Sequence, residues 1–390
     1  MKHLGTAFIF LAILSCNTNS DKEPVESDVE SVKLELQYAH GFEVTYSNGA
    51  TWVEVPKPYQ GAEKGFTYLL VDKGSEVPDH EADVQVIEVP IDRIVCTSTT
   101  HIPLLDYLDE SEALVGFPTT DYISSTTMRK HIDAGNVMEL GVDNEMNLEL
   151  LLSTDPDMVM AYTMSSDFGQ YRQIQEADIP VIINAEYLEP HPLGRAEWIK
   201  FMSLFFKKEA MADSVFNAIE TKYNNLKKSV HEISDKPTVL SGVVYGDTWY
   251  MPGGDNYASK IIDDAAGNYL WADDSSSGYL ELSFEAVYEK AHHADYWIGV
   301  GSYRSLEGMS STDNRYTDFE AFKNKTVYTY DARKGTKGGS EFLELGYLRP
   351  DLILDDLIKI LHVDSIGNAD LFFHGRLTTE SSETHRDDTE

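Results

Sequence analysis

The sequence predicts an α/β fold of two lobes joined by one long helix, with a β-rich segment ahead of them. Three observations carry this. After Pro90, short apolar strand-like runs alternate with helical stretches. Residues 208–232 then hold a single apolar stripe, and the strand–helix rhythm resumes after it. Alternation of this kind marks sheets of parallel strands covered by helices.

Residues 1–16 (MKHLGTAFIFLAILSC) open with Lys2, continue through an apolar run over 4–14, and end in Ile13-Leu14-Ser15-Cys16. That ending fits the lipobox of bacterial lipoproteins, and the run is too short to cross a bilayer. Cys16 is the expected lipidation site, with an ordinary secretory signal as the alternative. Two or more acyl chains would hold the protein stably on a membrane. Residues 17–30 are polar and acidic and read as a flexible tether; 376–390 read as a disordered tail. Between 31 and 90 the runs FEVTY, TWVEV, FTYLLV and VQVIEV alternate. Asn48-Gly49 between two of them is a hairpin signal.

The runs RIVCTS, ALVGF, DMVMAY and PVIINA assign 91–207 to the first lobe. In the next segment Ala212, Phe216, Ile219, Tyr223, Leu226 and Val230 step by alternating fours and threes, giving a helix over 208–234. At about 1.5 Å per residue its core is roughly 37 Å long, enough to run beside two lobes. TVLSGVVY, SKIIDDAAG, LSFEAVYEKA, DYWIGV, TVYTY and a last helix near 350–361 assign 235–375 to the second lobe. Segments 147–159 and 282–298 share one plan, in which a Glu opens a short amphipathic helix followed by an Asp and an apolar strand.

Composition removes several function classes. Lys and Arg number 31 against 66 Asp and Glu in 390 residues, a formal charge of −35, which repels nucleic-acid phosphate. With 42% hydrophobic residues the chain has enough apolar surface for a core, so wholesale disorder is excluded. Two cysteines make no disulfide scaffold, and Cys96, flanked by Ile94 and Val95, reads as a small buried hydrophobe. The enzyme motifs GxxxxGK[ST], GxSxG and HExxH are absent, so no catalytic residues are assigned. His292-His293 lie side by side on a helix, where adjacent side chains diverge by about 100°, a poor arrangement for one metal ion.

The segments RIVCTSTTHIPLLDYL, NLELLLSTDPDMVMAYT, EYLEPHPLGRAEWIKF, DTWYMPGGDNYASKIIDDAAG, LELSFEAVYEKAHHADYWI and YLRPDLILDDLIKILH follow one another over 93–362. As an ordered set they resemble the iron-siderophore and cobalamin substrate-binding lipoproteins of ABC importers. The 31–90 region and HPLGRAEW look like the Bacteroidota branch. The resemblance implies two Rossmann-like lobes bridged by a rigid helix, a ligand held between them, and little closure on binding. It also implies a monomer anchored to a bacterial cell-envelope membrane and facing the periplasm, a permease dimer as partner, and no intrinsic cofactor. The ligand expected is an iron(III) siderophore, with cobalamin or haem as alternatives. Zinc or manganese capture would require His101, His191 and a carboxylate to converge.

In open α/β lobes ligands lie beyond the carboxyl ends of strands. That places loop 98–101 with His101 at the cleft, though a helix-start histidine also has an ordinary structural reading. Tyr122 and Tyr162 follow equivalent strands; each offers a stiff face and a polar tip. Trp249 and Tyr250, ahead of Pro252-Gly253-Gly254, are expected to line the cleft, and the resemblance adds Tyr279. Arg304 and the loop 331–338 (DARKGTKG), with Arg333, Lys334 and Lys337, supply cations for an anionic chelate, or are simply solvated. For Arg195 in PLGRAEWIKF a structural salt bridge is favoured over the cleft floor. In the resembled family the glutamates matching Glu149 and Glu285, one per lobe, dock onto permease arginines; a carboxylate is in any case favoured at a helix start.

Overall fold

The computed structural model describes residues 31–363 and 370–379. The expected signal, tether, Cys16 and most of the expected tail fall outside these residues. Among the described residues no helix is long and apolar enough to cross a membrane.

The fold class is the expected one. Five strands, β1 (Val32–Lys33), β2 (Glu43–Ser47), β3 (Ala50–Val55), β4 (Phe66–Asp72) and β5 (Gln85–Val89), form an N-terminal sheet in that order. Asn48 and Gly49, both at positive φ, make the two-residue turn between β2 and β3. The segment is more than a hairpin extension, because β5 returns parallel to β4 and closes a mixed sheet.

The first lobe is a parallel sheet of β6 (Ile94–Cys96), β7 (Leu114–Phe117), β8 (Met138–Glu139), β9 (Met158–Ala161) and β10 (Val181–Ile183), in the order β10-β9-β6-β7-β8. Cys96 is buried in β6, and burial pushes its thiol far up. In the second lobe β11 (Thr238–Ser241) is followed by a hairpin of β12 (Val243–Tyr245) and β13 (Thr248–Pro252), then by β14 (Asn268–Tyr269) and β15 (Tyr279–Leu282). β16 (Tyr296–Ile298), β17 (Val327–Thr329) and β18 (Gly375–Arg376) complete it. Its main sheet runs β14-β11-β16-β17-β18, and β12-β13-β15 form a small antiparallel sheet. β18 pairs antiparallel with β17 and Leu377 is buried, so the lobe continues beyond the boundary expected at 375.

Each main sheet reverses its winding once. In the first lobe the chain leaves β6 toward β7 and leaves β9 toward β10, although β6 and β9 are neighbours. In the second, β11 and β16 are neighbours with the same divergence. Such switch points open a crevice at the strands' carboxyl ends.

The helix Glu209–Val230 joins the lobes and buries Ala212, Phe216, Ile219, Tyr223 and Val230, the stripe read from the sequence. Lys222 reaches the buried Asp351 at 3.0 Å, and the Tyr223 hydroxyl donates to Asp264 at 2.6 Å. Two buried glutamates tie the N-terminal sheet to this frame. Glu197 accepts the N–H groups of Gln37, Tyr38 and Ala39 and pairs with Lys200 at 3.0 Å. Glu189 accepts those of His40 and Gly41 and the Trp198 indole N–H.

Glu197→Gln leaves buried N–H groups and Lys200 short of their partner. Urea unfolding is expected to show a loss of roughly 2–4 kcal/mol. An unchanged midpoint and slope would contradict the clamp.

Candidate functional site

At the first lobe's switch point, the loop after β6 meets the loop after β9. The Tyr162 N–H donates to the Thr97 hydroxyl at 3.3 Å, and the Thr100 hydroxyl donates to Glu186, which follows β10. Glu186 is buried and its second carboxylate oxygen has no hydrogen-bond partner among the described residues. Burial raises its pKa, while Thr100, its own backbone and Arg195 oppose the shift. The Tyr162 hydroxyl donates to Asp143 at 2.7 Å, and burial lifts the pKa of both groups.

The exposed aromatic face of the second lobe belongs to the small sheet β12-β13-β15. Tyr245 pairs with Thr248, Tyr250 with Val243 and Glu281, and Tyr279 with Pro252. Because side chains alternate along a strand, all three tyrosines share one face, and they are 82%, 38% and 73% exposed. Tyr279 lies within electrostatic reach of Tyr330 and Tyr347, and Tyr347 within reach of Glu186 and Arg195. Tyr279 is therefore the member of this face nearest the Tyr347–Glu186 side of the first lobe.

The expected site residues divide. Tyr250 and Tyr279 stand on the exposed face of the small sheet, Tyr162 is half-buried at the switch point, and Tyr122 is exposed where its backbone meets Gly339 of the opposite lobe. Trp249 does not line the cleft. It neighbours Tyr250 in β13 and so points the other way, into a cluster with Trp297, Tyr316 and Phe319, its indole N–H on the Ser241 carbonyl at 3.1 Å. His101 is also withdrawn into the core, and burial pushes its imidazole down to about 3. Arg333 pairs with Glu341 and covers the Phe372 ring, and Lys334 pairs with Asp331, so two of the three loop cations are neutralised locally. Arg304 and Lys337 are exposed.

Among the described residues Arg195 makes no salt bridge of the favoured kind. Its guanidinium lies 4.1 Å and 4.2 Å from the ring centres of Tyr257 and Tyr347 in the second lobe and donates to the Glu189 and Tyr187 carbonyls. Glu149 and Glu285 occupy the second position of the helices Leu148–Ser153 and Phe284–Ala291, behind the caps Asn147 and Ser283, and both are exposed. Among the described residues no three His, Cys, Asp or Glu side chains group as metal ligands. His191 caps the helix Pro192–Glu197, and the His292 and His293 rings are 3.9 Å apart with each Nδ1 engaged within the protein.

The model of the periplasmic binding protein family matches residues 94–334. The chain belongs to the periplasmic binding protein family. Among curated relatives of this periplasmic binding protein, an uncharacterised lipoprotein of Methanocaldococcus jannaschii is 24% identical, aligned over 94% of this chain and 91% of its own length. A second uncharacterised lipoprotein of that organism is 28% identical over 87% and 88%. These relatives are archaeal, so the Bacteroidota likeness rests on the sequence reading alone. A haem-binding protein of Pseudomonas aeruginosa shares the fold at TM-score 0.56 and 14% identity, covering 74% of this chain and 99% of its own. A possible iron-binding protein of Staphylococcus epidermidis does so at 0.54 and 17%, covering 70% and 99%.

Several residues of this periplasmic binding protein escaped the sequence reading. Tyr245 was within reach of it, through strand parity across the Gly246 turn. Glu186 and Glu344 carry no local signal. Glu344, in the second lobe, accepts the N–H groups of Ser124 at 2.6 Å and Ser125 at 2.8 Å in the first. The Ser125 hydroxyl in turn donates to Asp106, and a Cβ on Gly335 would lie 2.6 Å from the Ser124 Cα. Burial, with Asp106 and Glu341 nearby, lifts Glu344 up to about 7 against the two N–H bonds.

A carboxyl group whose folded pKa is raised binds its proton more tightly folded than unfolded. Stability should therefore fall as pH rises between about 4.5 and 7, by on the order of 2 kcal/mol. Glu344→Gln should flatten that segment of a stability–pH curve, and an unaltered curve would refute the assignment.

Proposed function

We propose that this protein is the substrate-binding component of an ABC importer, anchored to a cell-envelope membrane through Cys16, that captures an iron(III) siderophore between its lobes. The observation that carries this reading is the exposed tyrosine face of Tyr245, Tyr250 and Tyr279, which suits a bulky chelate with a mixed apolar and polar surface. The lipoprotein relatives support the anchor, and the family supports a permease partner. The local pairing of Arg333 and Lys334 favours a second reading, a chelate of little charge such as cobalamin. Haem belongs with these, since proteins of the same fold bind it.

A thermal-shift panel of hemin, ferrichrome and cyanocobalamin separates these readings. A tight ligand at 100 times its dissociation constant adds about 2.7 kcal/mol to stability. No shift with any of them, in a folded protein, would count against the chelate reading. Delivery is tested separately. Reversing Glu149 and Glu285 to Lys should leave folding and ligand affinity intact and sharply reduce uptake in cells carrying the cognate permease. Normal uptake by the double variant would remove the docking role.

A further inference from the structure

The family match begins at residue 94, so the whole N-terminal sheet lies outside it. That sheet nevertheless meets the cleft loops. The Gln85 side chain donates to the Val181 carbonyl at 3.0 Å and accepts the Val181 N–H at 2.8 Å, as a strand residue would, and the Tyr68 hydroxyl accepts the Ile183 N–H at 2.9 Å. These bonds seat the sheet on β10, the strand that leads into Glu186. The loop 56–65 between β3 and β4 closes tightly at its base, where a Cβ on Gly65 would lie 2.5 Å from the Val55 carbonyl oxygen. Its body reaches the first lobe. The Tyr59 ring is 5.9 Å from that of Phe168, Phe66 adds a second ring at 5.4 Å, and the Gln60 backbone meets the Tyr187 hydroxyl, which donates to the Thr163 carbonyl at 2.9 Å.

We infer that the N-terminal sheet is a wall of the binding site, with Tyr59 a positioning residue that holds the loop 162–168 after β9 and so sets which ligands enter. Residues 164–167 are exposed, Met164 by 67%, and within the loop the holding bonds are short-range turns such as Thr163 to Ser165. The Tyr171 hydroxyl, on the Tyr162 carbonyl, and the packing of Phe168 against the lobe's apolar cluster join the contacts described above in fixing its path. Phe168, which ends the loop, meets the Tyr59 and Phe66 rings, and the Tyr187 hydroxyl that holds Thr163 meets the Gln60 backbone, so the N-terminal segment adds its contacts to those of Thr97, Asp143 and Tyr171 from the first lobe. The ligand part of this inference rests on the binding function proposed above.

The test uses the full chain with Tyr59→Ala and Tyr59→Phe. Hydrogen exchange at amides 163–168 should speed up by about tenfold in Tyr59→Ala, stay native in Tyr59→Phe, and not change at 98–101 in either. Whichever of hemin, ferrichrome or cyanocobalamin the native chain binds should bind Tyr59→Ala about tenfold more weakly, with thermal unfolding unchanged and affinity kept by Tyr59→Phe. Unchanged exchange at 163–168, or faster exchange with unaltered affinity, would overturn the inference. Faster exchange in a chain whose native form binds none of the three probes would support the positioning and count against the chelate reading instead.

Discussion

A carboxylate removed from water costs several kcal/mol unless hydrogen bonds replace its hydration. The stretch from Glu189 to Lys200 buries two carboxylates, a guanidinium and an ammonium within twelve positions, and between them these groups reach three bodies of the protein. Glu197 and Glu189 draw the main chain of residues 37–41 down onto the first lobe. Arg195 points the other way, between Tyr257 and Tyr347 of the second lobe. Lys200 lies 4.8 Å from the Phe216 ring centre on the joining helix. Residues two apart on a helix face different directions, and here that spacing sends one charge to the N-terminal sheet and the next to the opposite lobe. Replacing such groups with apolar side chains often leaves stability unharmed, so their worth here is in fixing three bodies in one arrangement.

That arrangement restricts how the lobes can move. Along the joining helix, Lys222 with Asp351, and Tyr223 and Lys227 with Asp264, hold the second lobe in place. Across the cleft the contact is of another kind, two N–H bonds to Glu344 and the close approach of Gly335 to Ser124. Opening the cleft there strips a raised-pKa carboxyl of two hydrogen bonds but returns it to water, so the cost is small beside that of exposing Arg195 and its two rings.

The parts legible in the sequence are those with a period. The helical stripe from Ala212 to Val230, the alternation after Pro90 and the Asn48-Gly49 turn all follow from local rules and recur in the fold. The site was less legible because its contacts are long-range: Glu344 and Ser124 are 220 positions apart, and Glu197 and Gln37 160. Trp249 is a different case. Strand parity allows only one of Trp249 and Tyr250 to face the cleft, and which one depends on the register with β15, where Tyr250 meets Glu281. His101 shows the limit of reasoning from position alone, since the end of a strand names a loop and leaves open which of its side chains turn inward.

The two exposed glutamates also show how an internal repeat diverges. Both follow a side-chain cap and sit in the first turn, where the helix dipole favours a carboxylate. Glu285 has Arg315 at 3.7 Å, whereas no ion pair engages Glu149 among the described residues. Arg315, however, is held by both oxygens of Asp313 and lies 4.0 Å from the ring centre of Phe284. Its charge is already matched by a closer partner, which leaves the Glu285 carboxylate weakly engaged and 79% exposed. Both carboxylates, one on each lobe, are therefore exposed and weakly engaged among the described residues.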